Sequence, residues 1–114
     1  MVKHLLSFTA TITLILSTQV SASTYEQTCV KCHNKMIVSI DKYFYRYLLK
    51  YSSEKNVKDS LYNYLKNPNK DTTIMPNAFI KRFGIKEQSK LKDDELKKAI
   101  DTYWDTYKVF DKLK

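Results

Sequence analysis

The chain has 114 residues, with 20 lysines and arginines against 12 acids, for a formal charge of +8 at pH 7. That length fits one domain, and the apolar core of so small a domain gives thin stability unaided. Two cysteines exclude a disulfide framework, and no nucleic-acid-binding motif accompanies the dispersed lysines.

The first segment, MVKHLLSFTATITLILSTQVSA, opens with Lys3 and His4 and continues as an apolar, threonine-rich run from Leu5 to Leu16. Val20-Ser21-Ala22 supplies the small residues that a signal peptidase reads, so residues 1–22 match a cleaved signal peptide. The alternative is an uncleaved membrane anchor, but the run is short for a span of ~20 residues and interrupted by hydroxyls. Cleavage after Ala22 exports a domain of residues 23–114 to the periplasm or beyond.

Four helices are predicted in the exported part. The first covers Thr24 to about Lys35, with Tyr25, Cys29 and Cys32 along one stripe. The second runs from about Val38 to Tyr51, with Ile37, Ile40, Phe44, Tyr47, Leu48 and Tyr51 at helical period. The third runs from Glu54 to Lys66, capped by Ser52 or Ser53, burying Val57, Leu61, Tyr64 and Leu65 and stopped at Asn67-Pro68. The last starts near Asp93 or Asp94 and turns Leu96, Ile100, Tyr103, Tyr107 and Phe110 inward. The single glycine, Gly84, and both prolines, Pro68 and Pro76, fall within residues 67–84, so that window is expected to be irregular. No segment alternates as a strand does, so the class is all-α. Nine tyrosines, five phenylalanines and one tryptophan predict a core built from rings, some of them available to pack on a planar group.

Both cysteines and one of the two histidines lie in Cys29-Val30-Lys31-Cys32-His33. On a helix, positions three and four apart share a face, so both thiols and the imidazole can meet one object. C-x-x-C-H is the attachment signature of haem c: two thiols add to two vinyl groups and the histidine ligates the iron. Two other chemistries use such residues. A thiol–disulfide pair ordinarily follows a strand in a βαβ unit, and no strand is predicted. A structural zinc site needs four ligands, and no second ligand pair follows. A disulfide between Cys29 and Cys32 would close a tiny loop and stabilise little. A covalent cofactor therefore fits the motif best.

The exported part has no histidine besides His33, leaving Met36 and Met75 as sulfur ligands for a second axial position. Met36 follows His33 closely, on the same side. Met75 stands before Pro76, which keeps it out of a helix interior, and a loop can carry it across the ring. The alternatives are Met75 as a core residue, with a lysine, a tyrosine or an open position at the iron.

These residues resemble the class I monohaem cytochromes c. The match comprises Cys29–His33 after an export signal, LYNYLKNPNKDTTIMP from Leu61 to Pro76, and LKDDELKKAIDTYW as a C-terminal helix. The resemblance implies a small all-α fold wrapped around one covalent haem c, with His33 and Met75 as axial ligands and Tyr64 hydrogen-bonded to the methionine sulfur. It implies a one-electron carrier, not an enzyme, exchanging electrons with redox proteins that present acidic docking surfaces. Membrane contact then comes only through a membrane-bound partner, and nucleic acid is not a partner. The residues also admit a haem sensor or small-ligand binder with an open distal site, or the haem subunit of a larger oxidoreductase. The chain departs from the family between His33 and Leu61, where Asn34 to Ser60 contains neither glycine nor proline. Members often carry there a proline whose carbonyl accepts the proximal histidine's ring N–H. The group orienting His33 is therefore unassigned, and Arg46 is the candidate for contact with the propionates.

Overall fold

A computed structural model describes residues 23–109, and a few helix-ending residues divide these described residues into five helices. Residues 1–22, expected to be a signal peptide, and Phe110 lie outside the described residues. No strand occurs among the described residues, and none of their helices is long and apolar enough to cross a membrane.

The first helix, α1, is a π-helical stretch, Glu26–Val30, running directly into an α-helical stretch, Lys31–His33. Its widened register is set by the Lys31 N–H, which reaches the Glu26 carbonyl five residues back. Ser23 anchors the start, its hydroxyl accepting from the Glu26 N–H at 3.3 Å. The regular α-helix expected over residues 24–35 is thus corrected in register and ends sooner. Residues 34–38 leave it through tight turns, with the Met36 N–H donating to the His33 carbonyl at 3.2 Å. π-turns of this kind recur at functional sites.

Helix α2, Ile40–Tyr51, buries Ile40, Phe44 and Tyr47. Ile37, expected on that buried stripe, precedes the helix and is 79% exposed. The turns after α1 carry it off the helical face. Ser52, in the left-handed region at φ 64°, closes α2 with its N–H on the Leu48 carbonyl. Ser53 caps α3, Glu54–Lys66, by accepting the Asn56 N–H at 3.2 Å, which satisfies one of the unpaired donors at the helix start. Val57 and Leu61 form its buried stripe, with Tyr64 and Leu65 partly buried beside them.

The window from 67 to 84 is not irregular throughout. Pro76 starts and Gly84 ends a helix, α4, Asn77–Phe83. Residues 84–90 then run without regular structure, pinned to α3 by the Ser89 N–H on the Leu65 carbonyl at 2.9 Å. Helix α5, Asp93–Tyr107, begins with three acids, Asp93, Asp94 and Glu95, which suit the positive end of the helix dipole. It buries Leu96, Ala99, Ile100, Tyr103 and Trp104.

The core joins α1, α2, α3 and α5. Phe44 has no exposed surface and meets the rings of Tyr103, Trp104 and Tyr107 at 5.4, 5.5 and 5.8 Å. Tyr25 stacks on Tyr103 at 5.8 Å, tying α1 to α5. The Tyr103 hydroxyl donates to the Ile40 carbonyl at the start of α2. Ion pairs at the surface join α3 to α5, Lys58 with Asp101 at 2.9 Å and Lys66 with Asp93 at 2.5 Å.

Candidate functional site

A cavity of about 660 Å³ opens where α1 faces α4 and α5. Cys29, Cys32 and His33 line it from α1, Tyr43 and Tyr47 from α2, and Leu61, Tyr64 and Leu65 from α3. The loop after α3 contributes Ile74 and Met75, α4 contributes Phe79, Ile80 and Phe83, and α5 contributes Leu96, Ile100 and Tyr103. All five site residues expected from the sequence, Cys29, Cys32, His33, Tyr64 and Met75, therefore share one cavity. Its volume lies in the range of small-molecule sites, and its lining is largely apolar with a few polar groups converging.

Both thiols are free, Cys29 half-buried and Cys32 exposed. Burial pushes the Cys29 thiol up, and the Lys86 ammonium opposes the shift. Burial lowers the basicity of His33, and Lys86 adds to that effect. Its Nδ1 is sealed from solvent and has no hydrogen-bond partner. Tyr43 packs against the imidazole, centroids 5.5 Å apart and planes at 76°.

Met75 is held by the local chemistry of its loop. Asn69 Oδ1 accepts the N–H groups of Asp71 and Thr72, each at 3.0 Å, folding the chain back after Pro68. The Thr73 hydroxyl then accepts the Met75 N–H at 3.2 Å. Pro76 follows in extended geometry at φ −61°, ψ 154°, and starts α4. Met36 also lines the cavity, but it is 49% exposed.

Tyr64 lies on the wall between this cavity and a polar groove of about 410 Å³ lined by Asn63, Asn67, Asn69 and Thr72. No hydrogen bond joins Tyr64 to Met75 among the described residues. The Tyr64 phenol instead stands within electrostatic reach of Tyr43 and Tyr47. The Tyr47 hydroxyl is buried without a partner. Arg46 is exposed and is not among the residues lining the cavity, but its charge reaches Tyr43, which is.

The sequence did not point to Tyr43, Lys86 or the α4 residues Phe79, Ile80 and Phe83. Only the last group carried a signal, an apolar spacing of three and four between Pro76 and Gly84. Among the described residues no group of three or more His, Cys, Asp or Glu side chains converges to hold a bare metal ion. No protein-family model, curated protein or solved structure matches the chain.

Proposed function

We propose that the protein is an exported one-electron carrier of the class I cytochrome c type, holding one haem c. The observation that carries this reading is the meeting of two free thiols, an imidazole and a thioether on one largely apolar cavity. The donor set suits the group. Cys29 and Cys32 would hold it covalently, each thiol adding its sulfur and hydrogen across one vinyl double bond with no net oxidation or reduction. With Nδ1 sealed inside the protein, Nε2 of His33 is the nitrogen left for the iron. Met75 would hold the iron from the other side, through a weak thioether donor of the kind that favours ferrous iron.

When bound, a haem supplies a ferric/ferrous couple. The chain's own residues do the rest. Aromatic and aliphatic walls from α3, α4 and α5 exclude water, which raises the potential because ferric haem carries the extra charge. Were His33 and Met75 both to hold the iron, no coordination site would remain for a substrate, which favours a carrier over an enzyme. Met36, Ile37, Phe83 and Ile85 are exposed, line the cavity and form an apolar mouth, with Lys35 and Lys86 beside them. Such a face suits brief docking on a redox partner with an acidic surface. The leader directs the protein to the periplasm, where it meets membranes only through such partners.

The test is the intact mass of protein matured in a host that attaches haem. Polypeptide plus one haem is expected, surviving denaturing electrophoresis as a haem-stained band, and the bare polypeptide mass refutes the reading. Met75→Ala is expected to lose the methionine-to-ferric charge-transfer band in the red. A second reading is a sensor or small-ligand binder with an open distal site. Carbon monoxide distinguishes the two: rapid binding to the reduced wild type at neutral pH favours the binder. Co-purification with a fixed partner favours a haem subunit of a larger oxidoreductase.

A further inference from the structure

A histidine that ligates a metal ordinarily donates its second ring N–H to a carbonyl, a carboxylate or a water, which fixes its tautomer and orientation. His33 has no such acceptor: its Nδ1 is buried and hydrogen-bonded to nothing. Among the described residues the ring against it is that of Tyr43, near-perpendicular at 76° with centroids 5.5 Å apart. Tyr43 comes from α2, lines the same cavity, and is held there by a helix anchored through the next residue, the fully buried Phe44. The one charge acting on His33 is the Lys86 ammonium, which cannot accept a proton.

We infer that the ring of Tyr43 is the positioning element for His33, taking the place of the usual oxygen acceptor. This inference rests on the haem reading above and deepens it. The ring acts in two ways. Edge-to-face packing stops the imidazole from rotating about its Cβ–Cγ bond. An aromatic face is also a much weaker acceptor than a carbonyl. It withdraws little of the N–H proton, so the imidazole remains a modest donor and reduced iron is favoured. The phenol oxygen has no part in either effect, so phenylalanine should replace tyrosine and an aliphatic residue should not.

The experiment uses holoprotein, with the mass of each sample measured first. A wild type without covalent haem overturns the functional reading, and this inference with it. With haem present, Tyr43→Phe is expected to keep the wild-type midpoint potential and haem-methyl NMR pattern. Tyr43→Leu admits water to Nδ1 and is expected to lower the reduction equilibrium constant about threefold, roughly 30 mV for a one-electron couple, with a changed haem-methyl pattern. Equal behaviour of the two variants overturns the inference while leaving the haem reading intact. Should Tyr43→Leu fail to fold, the ferrous wild type decides alone. The Nδ1 proton of His33 is expected upfield of an oxygen-bonded imidazole N–H, and a downfield resonance overturns the inference.

Discussion

Lys86 acts on two members of the motif at once, although it stands far from them in sequence. Its ammonium pulls the Cys29 thiol back from the rise that burial imposes, and it makes His33 harder to protonate. Removing the charge should therefore raise the Cys29 pKa further and reduce its thiolate fraction at neutral pH. Alkylation of haem-free protein by iodoacetamide is expected to be slower at Cys29 in Lys86→Gln, because the thiolate is the nucleophile. An unchanged rate would show that the cation is too distant to matter. In holoprotein the same substitution is expected to lower the midpoint potential, since a nearby positive charge disfavours ferric haem; a rise would contradict this. Residue chemistry of this sort was only partly legible beforehand. The shared cavity wall of Cys29, Cys32 and His33 could be foreseen because three- and four-residue spacing puts them on one helix face, whereas Met75 stood out only as a candidate with few competitors. Tyr43 and Lys86 obey no spacing rule relative to His33; they reach it only because α2 and the strand-free segment after α4 pack beside α1.

Helices α2, α3 and α5 could be read from their apolar period because each is long enough for the period to repeat. Helix α4 could not, being a seven-residue element between a proline and a glycine, too short to form by local propensity alone. Its end depends on Gly84, at φ 77° and ψ −177°, a conformation in which side chains are strained. A Cβ there meets nothing within 4 Å, so Gly84→Ala tests the backbone alone. We expect a loss of about 1–3 kcal/mol in urea unfolding; a neutral result would mean the segment relaxes freely. Phe44→Ala should cost more, about 3–5 kcal/mol, because it opens a void among the rings that join α2 to α5. The α3–α5 contact has a pH signature. The Lys66 hydrogen bond, then that of Tyr62, holds the Asp93 carboxyl below its usual range. A depressed carboxylate stabilises the fold above its ordinary pKa, and that support is lost as pH falls through the lower, folded value. Asp93→Asn should thus melt below wild type at pH 7, and the difference should vanish under strong acid. The π-register of α1 had no sequence signature, since residue types do not specify whether an N–H reaches four or five residues back.

Charge is unevenly arranged over the whole molecule. Five ion pairs are formed among the described residues, and they involve Lys55, Lys58, Lys66 and Lys108 on or beside α3 and α5. The cations at the cavity mouth, Lys35 and Lys86, take no part in them. Association with an acidic redox partner should therefore weaken steeply with ionic strength. Second-order electron-transfer rates between 10 and 300 mM salt measure this, and a flat profile would exclude the mouth as an electrostatic docking face. At the same scale, the all-helical class and the single core were legible in composition and period, whereas the meeting of α1, α4 and the Met75 loop around one space required tertiary packing.

Several residues serve as both core and cavity wall: Ile40, Tyr47, Leu61, Ile100 and Tyr103 belong to each. A guest in that space is thus also mortar for the house. Whatever binds there raises folding stability by mass action, so protein with the cavity filled should melt above protein with it empty. Loading and consolidation then become a single event, so that a protease would spare only the chains already filled.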